Sequence, residues 1–172
     1  MLEIFSPNDF SLIGVILGMP LLGAFVNGIW GRRLGKDAVR LMALFAVGAS
    51  FAASVVAFLM LDKVVSTNGH SYQKLTWTAW EWMHTVGGRG AGNINIDAKF
   101  SIDALSGVMM LIVTGVGNLI HLYSLGYMHE DPRAATFFAQ LNLFSFAMLM
   151  LVMGSNLLIT FIGWEGVGLC LS

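Results

Sequence analysis

Residues 134–172 read AATFFAQLNLFSFAMLMLVMGSNLLITFIGWEGVGLCLS and carry a single charge, Glu165. Crossing the hydrocarbon of a bilayer takes about 20 mostly apolar residues as a helix, and Gly154-Ser155-Asn156 divides this stretch into two such runs, 135–153 and 156–172. Three more apolar runs precede them, at about 102–128, 41–61 and 11–30, charge-free but for Asp103 at the start of the first. From Leu157 to Ser172 only 16 residues remain, roughly 24 Å of helix against a core of about 30 Å. The fifth span is therefore expected to be truncated, ending inside the membrane.

Composition agrees. Of 172 residues, 56% are hydrophobic and 11% charged, and mean hydropathy is +0.75, too little polar surface to cover a body folded in water. The fold class expected is all-α and polytopic, a single membrane domain over 1–172 facing the lipid bilayer. Nine Lys and Arg against ten Asp and Glu leave no basic excess for nucleic acid, and Cys170, the one cysteine, excludes an intrachain disulfide.

Glu3 and Asp9 precede the first span, so it is not a signal peptide. Arg32, Arg33, Lys36 and Arg40, opposed by Asp37, crowd the link after it, which places that link on the cytoplasmic side and the amino terminus outside. Alternation then puts 62–101 outside and 129–134 inside. The outer loop has its own pattern: Ile94, Ile96, Ala98, Phe100 and Ile102 alternate with Asn95, Asp97, Lys99, Ser101 and Asp103, the period of a half-buried strand. Trp77, Trp80 and Trp82 lie in a β-favouring stretch, and Gly87 to Gly92 supplies a turn. A small β-hairpin between the second and third helices is expected, its tryptophans serving either as an interfacial belt or as a partner contact.

Three features inside the spans are costly in lipid. Glu165, nine residues into the fifth helix, lies roughly 14 Å from its outer end, where insertion of an acid costs about 2.5–3.5 kcal/mol. Its helical neighbours Leu158, Phe161, Ile162 and Leu169 offer no side-chain hydrogen bond, so its partner comes from another helix or from water, or a protonated Glu bonds a backbone carbonyl. In the third span Asp103, Ser106, Thr114, Asn118 and His121 fall close to one face, and that face is expected to look into the bundle. His121 is either a proton relay or a neutral imidazole bonded across helices. Since His70, His84 and His129 fall outside the spans, no second histidine is placed for haem. Gly14 and Gly18, and Gly163, Gly166 and Gly168, read as close-packing residues. Neither Gly-Val-Gly follows a strand, so neither is a nucleotide loop.

The run Asp103-Ala104-Leu105-Ser106, Val113-Thr114-Gly115-Val116-Gly117, Leu119-Ile120-His121, Tyr123 and Tyr127-Met128 closely resembles the third helix of subunit L of proton-pumping NADH:quinone oxidoreductase, respiratory complex I. Phe137-Phe138, Asn142-Leu143-Phe144, Asn156-Leu157-Leu158 and Gly163-Trp164-Glu165-Gly166-Val167-Gly168-Leu169-Cys170 resemble its fourth and fifth helices. Before about residue 97 only layout is shared. The resemblance implies an amino-terminal portion of an antiporter-like subunit of the bacterial inner membrane, with other complex I membrane subunits as partners. It assigns proton translocation to Glu165, with a Lys from outside this chain, and implies no cofactor here: NADH, flavin, iron–sulfur clusters and quinone belong to other subunits. The family pattern runs on past Cys170 into Ser-Tyr, so a fragment without activity of its own is expected. The large subunit of a sodium/proton antiporter, which shares the buried Glu, and a non-conducting membrane scaffold are the rival readings.

Overall fold

In a bilayer every backbone polar group needs an internal partner, so apolar runs of this length settle as helices. The computed structural model describes residues 11–67, 74–85, 94–128, 131 and 133–171. Its elements are α1 (Leu12–Leu34), α2 (Lys36–Thr67), β1 (Leu75–Thr85), β2 (Ile94–Ile102), α3 (Ala104–Tyr127), α4 (Ala134–Met153) and α5 (Leu157–Leu171). Helices α1 to α4 are long and apolar enough to cross a membrane, while α5 is shorter, at 15 residues. The chain is an integral membrane protein, all-α apart from its hairpin.

Helix boundaries differ from the sequence reading at the first link. The basic segment expected to connect 11–30 with 41–61 is almost wholly helical. Only Gly35, at φ 86°, interrupts it, a left-handed backbone that glycine adopts without strain. Arginine and lysine are good helix formers, so the charges extend both helices past the apolar runs. Asn27 Nδ2 donates to Val39 O at 3.2 Å and ties the two helices together beside the break. Helix α2 reaches 32 residues, about 48 Å, more than a bilayer core requires.

Helices α2 and α4 form the centre, α1 and α3 each pack against both, and α5 lies against α4. The expected hairpin is present: β1 and β2 pair antiparallel, Leu75 opposite Ile102 and Thr85 opposite Ile94, with irregularities between Thr78 and Trp80 and between Glu81 and Met83. The glycine-rich turn lies outside the described residues. The alternation read from β2 holds where side chains are described. Ala98, Phe100 and Ile102 are buried and Lys99 is exposed, and these join Ile13, Ile16, Leu61, Met110, Leu149 and Met153 in the main apolar core.

The hairpin is fastened at two places. Trp77 stacks on Phe100 with centroids 6.0 Å apart and lies over Gly14, where a Cβ would come within 3.1 Å of its ring. The α4–α5 turn supplies the other. Ser155 donates to Lys99 O through its amide at 3.1 Å and its hydroxyl at 2.7 Å. Asn156 Nδ2 donates to Asp97 O at 2.7 Å, while its Oδ1 accepts from Ile159 N at 2.8 Å and caps α5. Capping and edge pairing thus share one residue, and the free edge of β2 is covered.

The glycine reading needs a correction. Gly14 meets the hairpin rather than a helix, and nothing lies within 4 Å of a Cβ on Gly18, so this GxxxG does not pair two helices. Close packing falls instead to Gly23 and Gly31, where a Cβ would come within 2.7 Å of Ala46 Cβ and 2.8 Å of Ala135 Cβ. Gly163 does pack closely, its Cβ position 2.7 Å from Leu151 N.

Candidate functional site

Polar side chains in an apolar helix turn inward and find partners there, and the α3–α4 seam shows where they meet. Gly107, Met110, Thr114, His121 and Ser124 are the buried residues of α3. They recur at helical spacing: Gly107 packs against Phe58 of α2, Met110 joins the main apolar core, and His121 meets the buried Phe138 and Asn142 of α4. The five-residue polar stripe of the third span therefore resolves into separate parts. Asp103 and Ser106 form a reciprocal capping box at the start of α3: Ser106 N donates to Asp103 Oδ1 at 2.7 Å and Asp103 N to Ser106 Oγ at 2.8 Å. The Ser106 amide bond holds the Asp103 carboxyl below its ordinary range, against a smaller opposing effect of burial. Asn118 lines an open groove with Phe51 and Leu44 of α2. Thr114 bonds back to Met110 O at 2.8 Å.

His121 alone bonds across the seam. Its side chain is wholly buried, with Nδ1 2.8 Å from Gly117 O and Nε2 3.1 Å from Asn142 Oδ1. The Phe138 ring stands 6.4 Å from the imidazole, centroid to centroid. Ser145 bonds to Leu141 O at 3.1 Å in its own helix.

At one end of the bundle Arg40, 7% exposed, donates to Met128 O at 3.5 Å, where α3 ends, and pairs with Asp37 at 3.0 Å. A cation at a helix C-terminus is well placed, and this contact sets the α1–α2 break beside the α3–α4 link. The hairpin and the α4–α5 turn occupy the opposite end, in keeping with alternating crossings.

Glu165 lies elsewhere. Helix α5 touches α4 through Ile159 and Gly163, its two buried residues, and through Gly166, where a Cβ would meet Ala147 Cβ at 3.1 Å. At about 100° per residue, Glu165 points away from this stripe and is exposed, as are Phe161, Trp164 and Leu169. The structure does not bring it to His121, whose partners are Gly117 and Asn142.

Residues 89–138 match the family model described as NADH-ubiquinone oxidoreductase (complex I), chain 5 N-terminus. The chain is 38% identical over 155 residues to NADH-ubiquinone oxidoreductase chain 5 of Arabidopsis thaliana, covering 90% of this chain and 21% of that protein. It is 36% identical over 162 residues to NADH-quinone oxidoreductase subunit L of Mycobacterium tuberculosis, with 90% and 23% covered. The same subunit of Neisseria meningitidis is 33% identical over 163 residues, with 94% and 22% covered. The chain is thus similar to complex I chain 5 and subunit L proteins over nine-tenths or more of its own length. It spans about a fifth of the length of these relatives.

Two interior groups of this chain were not singled out by role in its sequence. Asn142 is an uncharged amide within a charge-free helix, and its signal is that very isolation: an amide amid Phe and Leu, at a depth matching His121. Arg40 read as one of several basic residues of a link, and nothing in the local pattern separates the buried guanidinium from its exposed neighbours.

Proposed function

We propose that this chain forms the amino-terminal part of an antiporter-like membrane subunit of NADH:quinone oxidoreductase, contributing to proton translocation coupled to NADH oxidation and quinone reduction. Redox groups reside on other subunits, and the partners of this chain are the neighbouring complex I membrane subunits and the lipid. The membrane is the bacterial inner membrane, with the amino terminus outside and the Arg40 end of the bundle in the cytoplasm, following the basic residues there.

The observation that carries the mechanism is the position of Glu165. A carboxyl midway along an apolar helix, turned from the α4 helix against which α5 packs, is poised to meet a cation brought by another segment or subunit. Such a cation, approaching or leaving Glu165, is the means by which this carboxyl takes part in proton translocation. His121 is the second proton-handling residue, held inside the bundle. The NADH oxidoreductase relatives support this reading over a separate sodium/proton antiporter. Glu165→Gln in the full subunit, assembled in complex I, tests it: the carboxyl oxygen and shape are kept while the titration is lost. Most proton pumping is expected to disappear, with quinone-reducing subunits still assembled, and undiminished pumping removes Glu165 from the mechanism.

A further inference from the structure

We propose that the Asn142 side chain is a rotating amide that lets His121 take up and release a proton without moving its ring. Asn142 is a positioning residue, and the inference rests on the proton-handling role given to His121 above. A carbonyl oxygen only accepts hydrogen bonds, so Nδ1, 2.8 Å from Gly117 O, carries a hydrogen in every state that keeps this contact. Any change of protonation then falls on Nε2, which faces Asn142 at 3.1 Å. A primary amide holds an acceptor and a donor on one planar group, and a half-turn about Cβ–Cγ exchanges them with almost no change of shape. When Oδ1 faces the ring, Nε2 donates and the ring is imidazolium. With Nδ2 towards the ring, Nε2 accepts and the ring is neutral.

The rest of the seam leaves the amide free to choose. Asn142 is fully buried, yet Nδ2 has no hydrogen-bond partner, so no second bond anchors either orientation. The far side of the amide lies against Gly23, where a Cβ would come within 2.8 Å of Nδ2 and 3.2 Å of Cγ; the missing side chain is the clearance for the turn. Charge does not decide the ring's state locally. Helices α3 and α4 contain no Asp, Glu, Lys or Arg. Of the elements around them, α2 carries Lys36, Asp37 and Arg40 near one end and Asp62 and Lys63 near the other, α1 carries Arg32 and Arg33 at its end, and α5 carries Glu165. Of these, Arg40 contacts α3 at Met128 O, seven residues from His121 and so about 10 Å along the helix. Among the described residues the ring's polar partners are Gly117 O and the amide.

Solid-state NMR of the full chain in lipid bilayers, with nitrogen-15 in His and Asn, tests this from about pH 8 to about pH 5, where histidine titrates. The expected result at high pH is the neutral Nδ1–H tautomer of His121, with the Asn142 NH2 coupled to Nε2. On acidification the ring becomes imidazolium, that coupling vanishes, and the Asn142 amide signal moves with it. A neutral Nε2–H tautomer overturns the proposal, as does a ring that titrates while the amide signal stays fixed. A ring that never titrates overturns both this inference and the role of His121, while Glu165 still stands on the pumping measurement. Asn142→Leu gives an independent reading: removing the acceptor lowers the imidazolium population at the acidic end by about tenfold, with the Gly117 bond retained. An unchanged population contradicts the proposal.

Discussion

The two faces of α4 solve opposite problems. On the α3 side, polar groups are enclosed and matched: His121 meets Asn142, and hydroxyls bond back into their own helices. On the α5 side, contact is made by absence of side chain, with Gly163 lying against the Leu151 backbone and Glu165 turned outward and exposed. A buried polar pair fixes a unique helix register because leaving either member unpaired is costly. A glycine contact allows close approach but supplies no polar specificity, so it can hold a helix whose functional residue faces away. The first seam is a closed unit, and the second is an attachment that leaves one face of α5 available.

Substitutions at each seam should separate these roles. Gly163→Val sets a Cβ 2.7 Å from Leu151 N and 2.9 Å from its Cα, and backbone cannot give way as a side-chain tip does. A loss of about 3 kcal/mol is expected, read as a lower thermal midpoint in detergent together with loss of cysteine cross-linking between α4 and α5, while cross-links between α3 and α4 persist. His121→Leu is expected to cost about 1–3 kcal/mol by stranding the buried Asn142 amide, with the α4–α5 cross-links now the ones retained. Equal loss at both seams in either variant would show that the two faces of α4 are not independent.

Asp103→Ala removes the capping box of α3 and should cost about 1 kcal/mol. The carboxyl is held below its ordinary value of 3.8 in the folded chain. Its contribution is therefore fully present above that value and fades as pH falls through the lower, folded one. Asp103→Asn keeps the cap without this acid dependence, and parallel acid titrations of thermal stability distinguish the two variants. The smallest effect is Gly168→Ala. Nothing lies within 4 Å of a Cβ there, so relief of glycine's conformational entropy should stabilise α5 by about 0.5–1 kcal/mol. Destabilisation would mean that a partner packs on this face as closely as Leu151 packs on Gly163.

Most of this architecture is legible along the chain. The five apolar runs became helices, because charge-free segments of that length have few other ways to satisfy their backbone in lipid. The hairpin followed from strict alternation at Ala98, Phe100 and Ile102, a pattern that only a strand can bury on one side. Less legible was the first link, where nothing in Arg32-Arg33-Leu34-Gly35-Lys36 separates a loop from a helix broken at one glycine. Nor did spacing distinguish the glycines: Gly14 and Gly18 have the pattern of a helix-pairing motif, yet the residues through which α1 packs closely on its neighbours are Gly23 and Gly31.

For the site, Glu165 and His121 stood out from the sequence because a charge or an imidazole within an apolar run is costly wherever it points. What each one faces was decided by tertiary structure. The turn of α5 on α4 set Glu165 outward, and the approach of α4 to α3 brought Asn142 to His121. Periodicity fixes which residues share a helix face but not the rotation of that helix against its neighbours, which depends on contacts between residues far apart in the chain. The amino-acid order thus determined the membrane helices, the hairpin and the identity of the costly groups. Only packing determined that one is paired inside the bundle and the other displayed on its surface.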